Sequence, residues 1–146
     1  MSAKTEAAVT KFLCGYNCAQ SVLYAFHDEL GLDEDQALKI ATGFGAGMAR
    51  KQEVCGAVTG GILVLSLRYG RDSKQDRAAT DQTYKRVREL MGQFEAKHGS
   101  CICRQLLDGT DLSTETGQRR FKENDLLNQV CEPCVQDVVE ILEQLK

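Results

Sequence analysis

The chain contains no tryptophan and a single proline. With aromatics at only 6%, it has little from which to build a base-stacking platform. One proline excludes a Pro-rich extended segment. Neither sign of charge dominates: 18 Lys and Arg stand against 21 Asp and Glu, a net charge of −3, and the two halves of the chain are balanced alike. Affinity driven by neutralised phosphates is therefore excluded, and no nucleic-acid partner is expected. Long hydrophobic runs are also missing. The longest mostly apolar stretch, Val54 to Leu67, spans 14 residues and includes Gly56, Gly60 and Gly61. A membrane span needs about 20, so this stretch reads as a buried core helix. Residues Met1 to Glu6 show no basic segment followed by an apolar one. No secretory signal is expected, and the setting is read as cytoplasmic.

What the chain does have is thiols: seven cysteines in 146 residues. In a reducing compartment several cysteines point to metal or redox chemistry more than to a disulfide framework. An odd number also cannot all pair within one chain.

Helix signals dominate the rest. Asn17 is placed to cap a helix running through Cys18, Val22, Ala25, Phe26 and Leu30, stopped by Gly31. Asp33 caps a second over Glu34 to Thr42, broken by Gly43-Phe44-Gly45-Ala46-Gly47. A third runs from about Glu53 to Tyr69. The longest spans Asp76 to Lys97, with Tyr84, Val87, Met91 and Phe94 at helical spacing and Gly99 as its stop. Ser100 is read as the cap of a short turn over Cys101 to Leu107. Ser113 opens a stretch through Phe121, Leu126, Leu127 and Val130, and Pro133 suits the first turn of a last helix carrying Val135, Val138, Val139, Leu142 and Leu145. The expectation is one all-α domain over 1–146, a bundle of about six helices with Val54–Leu67 as the most buried. The apolar stripe of the last helix leaves a homodimer open; the same stripe would equally serve the domain's own core.

The cysteines are Cys14, Cys18, Cys55, Cys101, Cys103, Cys131 and Cys134. Free cysteine is among the most buried residue types, so plain packing is the first account of each. Three features favour chemistry. Cys18, Cys101, Cys103, Cys131 and Cys134 fall at or near predicted helix starts, where the free N–H groups favour a thiolate. Cys101-Ile102-Cys103 and Cys131-Glu132-Pro133-Cys134 are closely spaced pairs, suited to a reversible disulfide or to two ligands on one metal. Cys55 precedes Gly56 and Gly60, four apart on a helix, which leave a groove that another element or a cofactor would fill.

Other motifs are weaker. Gly43 to Gly47 follows a helix rather than a strand and lacks the Gly-Lys-Ser/Thr ending, so it reads as a turn and not a phosphate loop. His27 reads as solvated. His98 lies three residues before Cys101 and would either assist a thiolate, ligate a metal or, more simply, face the free carbonyls of its helix end. No Ser/His/Asp set or carboxylate pair is indicated, and the sequence displays no substrate pocket.

Four stretches resemble the C-GCAxxG-C-C family of redox-active proteins: Gly15-Tyr16-Asn17-Cys18-Ala19-Gln20, Gly43 to Met48, Glu53-Val54-Cys55-Gly56-Ala57-Val58-Thr59-Gly60, and Cys103-Arg104-Gln105-Leu106-Leu107. The resemblance covers nearly the whole chain. Carried over residue by residue, the family's four cysteines fall on Cys18, Cys55, Cys103 and Cys131, with Cys134 three residues away as the competitor for the fourth position. Cys14 and Cys101 then look like additions. The family is similar to the non-haem part of split-Soret cytochromes, which implies an iron–sulfur cluster as an option. Its members lie near transporter genes, which implies a transporter-associated partner. There is no Cys-x-x-Cys-His, so covalent haem is not expected.

The expectation is a redox protein in which Cys18, Cys55, Cys103 and Cys131, with Cys134 beside them, form one electron-transfer or thiol–disulfide site, walled by Gly56 and Gly60. An iron–sulfur cluster or zinc would use the same four thiols. Whether the chain is an enzyme stays open. The rival from another class is an accessory protein of a transport system, stapled by zinc or metal-free.

Overall fold

In the computed structural model, which describes residues 1–145, every regular element is helical, apart from one isolated β-bridge between Val54 and Ile102. The segments are α1 (Ala3–Leu13), α2 (Cys18–Ala25), α3 (Glu34–Ala41), α4 (Gly45–Met48), α5 (Gly56–Tyr69), α6 (Arg77–His98), α7 (Cys103–Leu106), α8 (Glu115–Glu123) and α9 (Glu132–Gln144). A 3₁₀ turn, Thr42–Phe44, and a π turn, Leu127–Cys131, complete them. Segment α4 is not a right-handed helix, because Ala46 (φ 53°) and Gly47 (φ 66°) are left-handed. Eight α-helices remain among the described residues, against the six expected.

Local chemistry explains the boundaries. Asn17 and Asp33 both form capping boxes, each side chain accepting from the backbone N–H of a glutamine three residues on, Gln20 or Gln36. Asp76 caps α6, and Gly99 ends it at φ 86°. The helix missing from the expectation is α1, capped by Ser2 and burying Thr5, Ala8, Val9 and Phe12. Helix α2 stops at Ala25, well before Gly31; the Phe26 N–H turns back to the Leu23 carbonyl at 3.1 Å and the helix does not resume. Helix α5 starts at Gly56 rather than Glu53, and α8 ends at Glu123 rather than running on to Val130. Ser100 caps no helix. Its Oγ accepts from the Ile102 N–H at 2.9 Å, and Ile102 itself is extended.

The core forms around α5, eight of whose 14 residues are buried. Helices α2, α6 and α9 pack against it, and α1 lies across α2 and α9. Gly60 and Gly61 permit this closeness. A Cβ on Gly60 would stand 2.9 Å from the Ala19 carbonyl oxygen, and one on Gly61 would stand 2.8 Å from Leu90 Cδ2. On α6 the buried face carries Thr83, Leu90 and Phe94, while Tyr84 is 59% exposed, so the stripe expected there is shifted by one residue at its start. The stripe of α9 (Val135, Val138, Val139, Leu142) is wholly buried in the chain's own core and offers no face for a homodimer. No described helix is long and apolar enough to cross a membrane.

Between α3 and α5 the chain makes a left-handed turn. Ala46, Met48, Ala49, Arg50 and Gln52 all have positive φ without being glycine. Such residues cost roughly 1–2 kcal/mol each, so the surroundings must hold them. Gln52 does so: its buried amide donates from Nε2 to the Thr110 carbonyl at 2.6 Å and accepts at Oε1 from the Leu112 N–H at 2.8 Å. The turn delivers the chain antiparallel to residues 101–104. There the Cys55 N–H donates to the Cys101 carbonyl and the Cys103 N–H to the Glu53 carbonyl, both at 2.7 Å.

Candidate functional site

That two-rung ladder pairs Cys55 with Cys101 and Glu53 with Cys103, which brings the starts of α5 and α7 together. Cys18 opens α2, and its Cβ lies 3.2 Å from where a Cβ on Gly56 would stand. Any side chain at 56 would push α2, and Cys18 with it, away from Cys55. Cys131 ends the π turn and Cys134 sits in the first turn of α9. Five thiols thus meet on the wall of one cavity of about 230 Å³. Gly56 also lines it, whereas Gly60 does not: its groove is filled by the backbone of Ala19.

Within the cluster, Cys134 is the neighbour that acts most strongly on Cys55. Its thiol is the largest influence lowering the Cys55 pKa. Burial opposes it, and the free N–H groups of Ala57 and Val58 at the start of α5 add to the lowering. Cys134 moves the opposite way, up, through its interaction with Cys55, burial and the neighbouring thiols. Burial raises Cys18 as well, helped by Cys55, Cys131 and Cys103. It pushes Cys103 and Cys131 up to about 12, with Cys55 adding to both. The sequence-level expectation is reversed here. Helix starts were to favour thiolates at Cys18, Cys103 and Cys131, but desolvation outweighs the helix ends there. The favoured thiolate is Cys55, the one placed by its glycines instead.

Cys101 is buried outside the cavity, its Sγ 3.5 Å from the Met91 carbonyl oxygen, and burial raises it to about 11. Cys14 is exposed. His98 takes no part: its Nε2 pairs with Asp137 Oδ2 at 2.6 Å and its ring stacks on Phe94. His27 is held rather than solvated, stacked on Tyr24 with Nδ1 2.6 Å from the Tyr24 carbonyl oxygen. Among the described residues, no three His, Cys, Asp or Glu side chains are arranged to hold a metal ion. The four thiols expected to do so share the cavity without forming such a group.

The cavity itself was not legible in the sequence. Its remaining wall is apolar: Phe12, Leu106, Leu107, Leu112, Phe121 and Val130 contribute, with Tyr16 and Leu127 the more exposed members. Leu106 and Leu107 fall in the Cys103-Arg104-Gln105-Leu106-Leu107 stretch, but nothing in the sequence indicated that they would surround the cysteines.

An all-helical chain that gathers thiols from five elements around one apolar cavity is a cysteine-centred protein by architecture. A family model described as "Putative redox-active protein (C_GCAxxG_C_C)" matches residues 16–145. The chain belongs to that family. Neither a curated protein nor a solved structure matches it.

Proposed function

We propose that this is a thiol–disulfide redox protein in which Cys55 and Cys134 are the reacting pair. The observation that carries this reading is that both buried thiols line the same cavity, where each is the strongest influence on the other's proton affinity. The lower-pKa member, Cys55, is the natural attacking thiolate, and Cys134 keeps its proton until the second step. Cys18, Cys103 and Cys131 are held neutral beside them, as buried reserve thiols. Oxidation of the reduced protein by hydrogen peroxide, followed by peptide mapping, tests the proposal. A Cys55–Cys134 disulfide is expected, and it should vanish in Cys55→Ser and persist in Cys14→Ser.

An iron–sulfur cluster or zinc on Cys18, Cys55, Cys103 and Cys131 is the competing reading. The donor chemistry suits it, since bound metal would take these thiols as thiolates. Their arrangement does not fit it without side-chain movement. Anaerobic purification with metal analysis and an absorption spectrum separates the two: stoichiometric iron or zinc lost in Cys55→Ser would favour the metal. A transporter-associated partner and a cytoplasmic setting belong to the same proposal.

A further inference from the structure

The cavity is built for something other than the polar thiol carriers that a redox protein commonly meets. No Lys, Arg, His, Asp or Glu lines it. Asn17 does, but both ends of its amide are committed, Oδ1 to the Gln20 N–H at 2.9 Å and Nδ2 to the Thr42 carbonyl at 3.0 Å. An anion entering this space would lose its hydration and find no cation in return, which is strongly unfavourable. Size limits the occupant as well. An engineered cavity of roughly 150 Å³ binds benzene, and this one, at about 230 Å³, has room for a little more. Tyr16 and Leu127, the lining side chains with the most exposure, mark the mouth.

From this we infer that the oxidised substrate of the site is a small, uncharged, apolar disulfide. The inference rests on the Cys55–Cys134 reading. The Cys55 thiolate attacks one sulfur of the substrate, the substrate S–S bond breaks, and one thiolate leaves with the electron pair. That leaving group takes the Cys134 proton. The Cys134 thiolate then attacks the Cys55 sulfur of the mixed disulfide and expels the second thiolate, which water protonates. The protein dithiol is oxidised by two electrons and the substrate is reduced to two thiols.

A matched pair of reagents tests this: dipropyl disulfide, which is neutral, and 3,3′-dithiodipropionate, a dianion of similar size. Each is applied to the reduced Cys14→Ser protein, and Cys55–Cys134 formation is followed by quenching and peptide mapping. After normalisation to 2-mercaptoethanol, the neutral reagent should react at least about tenfold faster, because the dianion must be desolvated without a partner. Toluene should slow the neutral reagent by occupying the cavity. Leu127→Lys, at the mouth, should narrow the preference by accelerating the dianion. Equal rates, or no competition by toluene, with the disulfide still forming, would overturn the substrate class and leave the dithiol reading standing. Failure of Cys55 and Cys134 to join with either reagent or with hydrogen peroxide would overturn both.

Discussion

Gln52 and Thr110, 58 residues apart in sequence, are joined by a buried hydrogen bond of 2.6 Å. The same Gln52 amide accepts from the Leu112 N–H, so one side chain ties the left-handed turn to the segment after α7. Gln52→Leu keeps the bulk and removes both bonds, leaving a carbonyl and an N–H without partners. A loss of about 2–4 kcal/mol is expected, read as a lower urea midpoint with an unchanged slope.

Cys134→Ala removes the largest influence lowering the Cys55 pKa. The pH at which Cys55 becomes reactive toward iodoacetamide should therefore rise. Cys55, its pKa lowered, is expected to react below the ordinary thiol range in the wild type, and the inflection should move up toward or past that range in the variant. An unmoved inflection would assign the lowering to the start of α5 instead.

Alkali should loosen the fold. Cys103 and Cys131 have folded pKa values pushed up to about 12 and Cys101 to about 11, against about 8.5 for a thiol in an unfolded chain. A raised folded value contributes stability that is fully present below the unfolded value and is lost as pH climbs through the folded one. Cys55 acts in the opposite sense but is outnumbered. The melting temperature should fall steadily from about pH 8.5 upward, set by that unfolded thiol value. Cys131→Ala should make the fall shallower.

Two helical glycines, one buried and one exposed, predict opposite outcomes. Gly60→Ala would place a methyl 2.9 Å from the Ala19 carbonyl and 3.0 Å from Val22 Cβ, costing about 1–3 kcal/mol through overpacking of α2 on α5. Gly92 lies within α6, where an added Cβ would meet no atom within 4 Å, so Gly92→Ala should add up to about 1 kcal/mol. Thermal melts of the two variants check the signs.

Capping chemistry made much of the helical frame readable: Asn17, Asp33, Asp76 and Gly99 each do in space what their types imply. Helix α1 escaped because its buried positions, Thr5, Ala8 and Val9, are small and only Phe12 is large. The left-handed turn escaped for a deeper reason. Alanine, methionine, arginine and glutamine carry no preference for positive φ, so only the long-range anchor through Gln52 selects it. The gathering of the thiols was foreshadowed by Cys18, Cys55 and Cys103, each in a motif of its own. The pairing of Cys55 with Cys134 was not, because whether residue 131 or 134 acts on Cys55 depends on how α9 docks, and spacing alone does not fix that.

The two 2.7 Å rungs that flank Val54 and Ile102 bear on how the thiols are reached. Amides held this way exchange with solvent only when the segment that holds them opens. Transient breathing of the backbone at Cys55 and Cys103 is thereby suppressed. A reagent arrives at Cys55 through the mouth between Tyr16 and Leu127, and the sieve is the native state itself.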